Sequence, residues 1–487
     1  MRSAISPAHL TGDFAEDIGL KFQLEPLREV LHSRLFEDLL RDIWEPRSCF
    51  QPPVSDPDLT LTGPEGLLLP EVVAEIREKI VRHAVHPRHA WSLAHMTPPP
   101  VTASVLADLI VGALNQCAFI WEEAPLAKAL EVETVDWLAR RLGLPIGATG
   151  LLTSGGTLSN CLAAYLALAQ YRERFGGGRP VALIASDQSH LSLQKAAALV
   201  GAGADAVFCA TTDAEGRLSP GGIEAAALRA VREGRQPFLF VCTAGTSNAG
   251  VLEPPGEFLR LARSYGAWFH VDASHGGVMA LGGRPHPMVS EWVEADSISW
   301  DPHKSLYVSY SVGALLLRHE RLRAPLEFHS EYALKEDGRQ HDAGVWHFEG
   351  SRRLEALKLW MVIRHLGDTG LDELTDRSLS LAREFAALVR AANDFHLITS
   401  PDTNVVCFRF VDGALEDADL DQVNLRLQKH LYRTGGPLVS STRIGGRVTL
   451  RAVLLNPLLE AGQLGEILEA IRSEAWRQID ALEGVGL

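Results

Sequence analysis

The sequence predicts an α/β fold: a seven-stranded, mostly parallel sheet flanked by helices, with an N-terminal helical arm and a small C-terminal α+β domain. Three observations predict it. Seven short β-branched or apolar runs follow one another between residues 149 and 318, helix-length stretches separate several of them, and polar or glycine-bearing motifs stand directly after the runs. That alternation is the βαβ rhythm of a sheet covered on both faces, and ligands of such sheets bind outside the carboxyl ends of the strands.

Taken in order, Phe14 to Phe36 and Glu71 to Val85 carry apolar residues at helical spacing around a Pro-rich loop, Gln51 to Pro57. Residues 1–90 therefore read as an arm. After Thr97-Pro98-Pro99-Pro100, apolar helical runs extend from Val101 to Leu144, interrupted near Glu122-Glu123-Ala124-Pro125. The strands are expected at Gly150 to Thr153, Pro180 to Ser186, Ala206 to Ala210, Phe238 to Thr243, Ala267 to Asp272, Ser297 to Trp300 and Val312 to Arg318, with Ser159 to Phe175 and Ser192 to Val200 as helices. A polar loop, Leu334 to Val345, and a helix from Ser351 to Leu366 complete a large domain of residues 91–371. In residues 372–487, helices (Leu374 to Ala391, Leu420 to Arg433, Ala461 to Ile479) alternate with strands (Leu397 to Thr399, Val405 to Val411, Arg447 to Leu455).

A chain of 487 residues is long for one domain, and a net charge of −15 repels phosphate backbones and anionic lipid. Nucleic acid and membrane partners are therefore not expected. The start, Met1 to Pro7, has no apolar core of a signal peptide, and no apolar run of about 18 residues occurs, so a cytoplasmic protein is expected. Cys49, Cys117, Cys161, Cys209, Cys242 and Cys407 stand singly in apolar segments and read as buried thiols. His83, His86, His89 and His95 are close together, but Pro87 breaks any helix that would align them, so no metal site is expected.

The chemistry begins at Ser154-Gly155-Gly156-Thr157-Leu158-Ser159-Asn160, a turn between a strand and a helix. Bare glycines and free N–H groups at a helix start hold a phosphate, and the Gly-Lys-Ser/Thr of a nucleotide-binding loop is absent. Asp272 closes the next informative strand, in His270-Val271-Asp272-Ala273-Ser274-His275, where a buried carboxylate needs a cation or strong donor. Capping of the following helix is its plainer reading. Lys304 follows another strand in Asp301-Pro302-His303-Lys304; partial desolvation there is expected to lower its pKa and ready it to form a Schiff base. Phosphate turn, carboxylate and lysine together are the demands of pyridoxal 5′-phosphate, PLP.

From about His86 to Asn456 the sequence resembles the group II PLP-dependent amino-acid decarboxylases, the glutamate, cysteine-sulfinate, diaminobutyrate and aromatic enzymes of fold type I, the aspartate-aminotransferase superfamily. The resemblance implies that Lys304 carries the cofactor and that Asp272 pairs its ring nitrogen. It implies that Gly156, Thr157 and His303 contact phosphate, that His190 in Ser189-His190-Leu191 stacks on the ring, and that Thr246 lies near the phenolic oxygen. Arg451, in Arg451-Ala452-Val453-Leu454-Leu455-Asn456-Pro457, matches the residue that grips the substrate carboxylate, and Thr97 falls where the family places substrate-pocket residues. Tyr332, in Ser330-Glu331-Tyr332, matches the mobile-loop tyrosine that returns a proton to Cα across a homodimer interface, which the N-terminal arm embraces.

Two departures stand out: Asp301 where many members have Asn, and the triple proline after Thr97. The resemblance implies loss of CO2 from an L-amino acid to leave the amine. The Arg451 and Asp272 segments look closer to the glutamate and cysteine-sulfinate branch, so an acidic substrate is expected. Aromatic or diaminobutyrate substrates, or another fold type I reaction such as that of an aldehyde synthase or sulfur-transfer lyase, are the alternatives.

Overall fold

The computed structural model describes residues 24–50, 59, 66–329 and 342–483. Seven strands form the main sheet: β1 (Thr149–Thr153), β2 (Val181–Ser186), β3 (Val207–Ala210), β4 (Gln236–Thr243), β5 (Trp268–Asp272), β6 (Ser297–Trp300) and β7 (Gly313–Leu317). Their order is β1-β7-β6-β5-β4-β2-β3, and β7 alone runs antiparallel to its neighbours. Its direction follows from its connection. Residues 301–312 carry one helical turn, Pro302–Ser305, and no crossover helix, so the chain turns back beside β6.

Helices Gly156–Phe175, Ser192–Leu199, Gly222–Arg232 and Pro255–Tyr265 cross between the parallel strands. Strands β2, β5, β6 and β7 are buried along their whole length, which explains their unbroken apolar runs. The carboxyl ends of β1, β2, β4, β5 and β6 consequently share one edge of the sheet, with the start of β7 beside them.

A second, antiparallel sheet has the order β10-β11-β9-β8, built from β8 (Phe395–Leu397), β9 (Val405–Phe410), β10 (Ser440–Ile444) and β11 (Arg447–Val453). Helices Asp417–Thr434 and Ala461–Glu483 pack over it around Phe408, Phe410, Val423, Leu427, Leu464 and Ile471. Strand β10 is absent from the sequence expectation. The long helix Ala356–Ala391 also differs: it bends at Gly367 (φ 64°, ψ 179°) and resumes at once, where two separate helices were expected. Residues 351–355 precede it without joining it.

In the arm, Phe14 to Phe36 lies partly outside the described residues. The described part forms two helices, Leu24–Leu31 and Arg34–Trp44, with the Ser33 hydroxyl accepting from Phe36 N at 3.1 Å as the N-cap of the second. Leu69–Lys79 forms the next helix. Most of the Leu334 to Val345 loop lies outside the described residues. Of the six cysteines, Cys49, Cys161, Cys242 and Cys407 are buried, whereas Cys117 and Cys209 are only half-buried, correcting the expectation for those two. Among the described residues no helix is long and apolar enough to cross a membrane.

Candidate active site

A cavity of about 340 Å³ opens at the carboxyl edge of the main sheet. Gly156, Thr157, His190, Asp272, His303 and Lys304 all line it, brought from β1, β2, β5 and β6 by the parallel topology.

The glycine turn is as bare as a phosphate cradle requires. Gly155 has φ 145°, and a Cβ on Gly156 would stand 2.3 Å from Ser274 Oγ and 3.0 Å from Asp301 Oδ2. The 20-residue helix Gly156–Phe175 starts here, so its dipole and first-turn N–H groups, which have no acceptor within the helix, favour an anion.

Asp272 is 5% exposed at the end of β5. Its Oδ2 accepts from Asn160 Nδ2 at 2.7 Å, and its Oδ1 from Ser299 Oγ at 3.0 Å and Ser274 N at 3.1 Å. Burial opposes the charge, yet these donors and the nearby positive groups outweigh it and hold the carboxyl below its ordinary pKa. The Ser274 contact closes the turn at the strand end, but Asp272 does not cap the helix that follows, Gly276–Ala280, which has His275 at its N-cap and no side-chain cap; its carboxylate is presented to the cavity instead.

Lys304 departs from expectation. Burial does act against its charge, but its Nζ lies 2.9 Å from Asp301 Oδ2, and with Asp272 also near the ammonium is held above the ordinary lysine value. The carboxylate sits three residues back on the same helical turn, a spacing legible in the sequence. Asp301 is 2% exposed, and its Oδ1 has no partner.

His303 is fixed by its Nδ1 to Val312 O at 2.6 Å and by the Tyr310 ring, 4.4 Å between centroids. At His190, Nδ1 accepts from Ser192 N at 3.2 Å, and burial lowers the ring's pKa. Thr246 is buried and does not line the cavity; its hydroxyl accepts from Val251 N at 3.2 Å, while Gly245 and Ser247 beside it form the wall.

Thr97 and Arg451 also lie off this cavity. Thr97 lines a second one, of about 460 Å³, and its hydroxyl meets that of Tyr310, a wall of the first, at 3.2 Å. Arg451 is buried on β11 with Nη1 donating to Ala94 O at 3.2 Å and to Ser440 Oγ at 2.9 Å, while its Nε is unpartnered. Tyr332 lies outside the described residues. Sequence reasoning gave no role to Asn160, Ser274, His275, Ser299 or Tyr310; Asn160, Ser274 and His275 stood inside motifs it quoted. Among the described residues no group of three His, Cys, Asp or Glu is arranged to hold a metal ion.

A bare anion-binding turn, an ionised carboxylate and a lysine on neighbouring strand ends fit PLP: phosphate at Gly155–Thr157, ring nitrogen toward Asp272, aldehyde toward Lys304. Fold and site thus define a PLP-dependent enzyme of the open α/β type. Residues 63–411 match the family described as the pyridoxal-dependent decarboxylase conserved domain, and the chain belongs to this family. It is similar to the L-2,4-diaminobutyrate decarboxylase of Rhizobium meliloti, 33% identical over 84% of this chain and 83% of that one. It is similar also to the cysteine sulfinic acid decarboxylase of Mus musculus, 30% identical over 82% of this chain and 84% of that one. A solved structure of Oryza sativa TDC with PLP and tryptamine superposes with a TM-score of 0.85 at 26% identity, covering 97% of this chain and 99% of that one. The chain is a PLP-dependent amino-acid decarboxylase, a carboxy-lyase.

Proposed function

We propose that this chain removes the α-carboxylate of an L-amino acid with a charged side chain, an acidic one in the first reading, and releases the amine. The observation that carries the catalytic part is the convergence of Lys304, Asp272 and the Gly155–Gly156 turn on one cavity. When bound, PLP supplies the sink for the electron pair left on Cα as CO2 departs.

The residues divide the remaining work. Lys304 supplies the amine that attaches the cofactor, and Asp272 holds a proton on the ring nitrogen. Gly156, Thr157 and the helix start behind them neutralise phosphate, with His303 beside them. His190, which lines the cavity, would stack on the ring, and Thr246 would support the wall formed by Gly245 and Ser247. Arg451 binds the α-carboxylate through Nη2, since Nη1 is committed to Ala94 and Ser440 and Nε is buried. Tyr332 returns the proton to Cα.

A charged side chain is favoured over an aromatic one by the relatives that are 33% and 30% identical, a diaminobutyrate and a cysteine sulfinic acid decarboxylase. The acidic reading rests on the Arg451 segment and on the likeness to a cysteine sulfinic acid decarboxylase. A second reading, diaminobutyrate, is favoured by the 33% identical relative. We also propose a homodimer with shared sites. Leu106 and Leu109 on helix Thr102–Leu114 are 50% and 54% exposed, and Phe328 and Phe348, on either side of residues 330–341, are 61% and 70% exposed.

The test is CO2 release from L-glutamate, L-aspartate and cysteine sulfinate against diaminobutyrate, DOPA, tyrosine and tryptophan, with Lys304→Ala as control. Release confined to the acidic set supports the first reading and release from diaminobutyrate the second. Release from the aromatic set rejects both, and steady turnover by Lys304→Ala rejects the lysine's role.

A further inference from the structure

One face of β5 carries Trp268, His270 and Asp272 at alternate positions, and the facing positions of β6 are Ser297, paired with His270, and Ser299, paired with Asp272. These side chains are buried and joined to Asn160 from the helix that follows the phosphate turn. The direction of every bond can be worked out. An indole N–H only donates, so Ser297 Oγ accepts from Trp268 Nε1 at 2.8 Å, and the buried hydroxyl hydrogen has His270 Nδ1, also at 2.8 Å, as its side-chain acceptor among the described residues. His270 then carries its hydrogen on Nε2 and donates to Asn160 Oδ1 at 3.0 Å. The Asn160 amide group is left to donate to Asp272 Oδ2 at 2.7 Å and to Ser192 Oγ at 2.9 Å. Burial supports this single neutral form, pushing the His270 pKa down to about 4.

We propose that Asn160 and His270 are positioning residues, a one-directional relay from Trp268 that fixes the orientation and the negative charge of Asp272 toward the ring nitrogen of the cofactor. The proposal rests on the reading of Asp272 given above. The relay presents an N–H, never a lone pair, to the carboxylate. A proton on Oδ2 would face the Asn160 N–H with no acceptor, and a proton on Oδ1, which a rotated Ser299 hydroxyl can accept, would leave Asn160 bonded to a neutral carbonyl in place of a carboxylate. Asn160 therefore favours the ionised form, because its bond is the stronger charge-assisted one only there.

The test is equilibrium binding to the apoprotein of two probes, PLP and 1-deaza-PLP, which has C–H in place of the ring nitrogen, for wild type, Asn160→Ala and Asp272→Asn. If the relay acts through Asp272, Asn160→Ala weakens PLP on the order of tenfold or more while affinity for 1-deaza-PLP changes little, and Asp272→Asn shows the same pattern more strongly. Equal weakening of both probes by Asn160→Ala, with Asp272→Asn still selective, overturns the relay and leaves the role of Asp272 standing. Loss of selectivity in Asp272→Asn itself overturns the underlying reading. Should Asn160→Ala not fold, nitrogen NMR of wild-type apoprotein decides: a neutral His270 ring with hydrogen on Nε2 is expected, and hydrogen on Nδ1 or a charged ring at neutral pH overturns the relay.

Discussion

Asp301→Asn tests what governs the reactivity of Lys304. The ammonium stands 2.9 Å from a carboxylate that is 2% exposed. At that separation two unit charges attract by about 6 kcal/mol for an effective dielectric of ~20. Desolvation of both partners cancels part of this, and asparagine keeps a neutral acceptor in the same place, so about half, ~3 kcal/mol, is the preference for ammonium over amine that the substitution removes. The corresponding rise in the neutral amine at neutral pH is about a hundredfold. Because the Lys304 pKa is held high, wild type has little free amine at neutral pH and gains it only as pH rises. Only the amine attacks an aldehyde. The assay is the rate at which apoprotein captures pyridoxal, followed by stopped-flow absorbance across neutral to alkaline pH. Pyridoxal is used because deleting a carboxylate beside the glycine turn also favours a phosphate, whereas the phosphate-free aldehyde reports on the lysine alone. The variant is expected to be about a hundredfold faster at neutral pH and to reach its plateau at lower pH. A rate and pH profile matching wild type would refute control of the lysine by Asp301.

Three further outcomes are expected. Tyr332→Phe should lower turnover by about a hundredfold or more and yield carbonyl products in place of amine; an unchanged amine yield places the proton donor elsewhere. Glu131 accepts from Leu152 N at 2.7 Å, from His347 at 2.9 Å and from Arg352 at 3.1 Å; burial opposes its charge, but His347 and Arg352 overcome this and depress its pKa. Glu131→Ala should therefore cost about 3–5 kcal/mol in urea unfolding at neutral pH, a deficit that begins to shrink as pH falls below the ordinary glutamate value of about 4.5 and goes on shrinking toward the depressed folded value; a midpoint equal to wild type counts against it. Glu253 is the opposite case, raised to about 7 by burial. A carboxyl whose folded pKa is raised loses stability as pH climbs from its unfolded value to the folded one. Glu253→Gln should thus gain stability over wild type above about pH 7, by up to ~3 kcal/mol, and lose that gain below about pH 4.5; an advantage independent of pH would contradict the assignment.

The main sheet was legible because its strands are buried on both faces, so apolar runs such as Val181 to Ser186 stand out and their ends fall within about two residues of expectation. Strand β10 was not legible: Ser440-Ser441-Thr442-Arg443-Ile444 is an edge strand in which Ile444 alone is buried, and it reads as loop. At Gly367 the sequence signals a break but not that helical packing resumes directly beyond it. In the site, parallel topology makes strand-end residues predictable, since it sends Asp272 and Lys304 to one edge whatever the details of packing. What topology does not fix is which side chains meet there. Burial alone predicts a lowered lysine pKa, and the Asp301 contact reverses it.

His275 shows how the second sheet enters the site. The Ser378 hydroxyl donates to Leu454 O at 2.7 Å, so its oxygen accepts from Asn404 Nδ2 at 2.9 Å. Asn404 Oδ1 is then the acceptor for His275 Nε2 at 2.8 Å, which leaves His275 Nδ1 a lone pair with no protein partner in a ring that lines the cavity. Burial, with Lys304 and Arg451 nearby, brings the His275 pKa down to about 3, so the ring adds no positive charge at neutral pH. On the reading proposed here, the charge that binds the substrate carboxylate on this side falls to Arg451. Arg451 pairs in register with Cys407 on β9, and Asn404 immediately precedes β9. The carboxylate-binding cation and the group that sets the His275 tautomer therefore move as one body with the second sheet. That body is seated on the loop after β4 through Val405 against Gly250, where a Cβ would stand 2.5 Å away, and through Thr403 Oγ1 to Gly250 O at 2.9 Å. A side chain at Gly250 would displace both groups together, so substrate binding and the tautomer of His275 depend on the same contact.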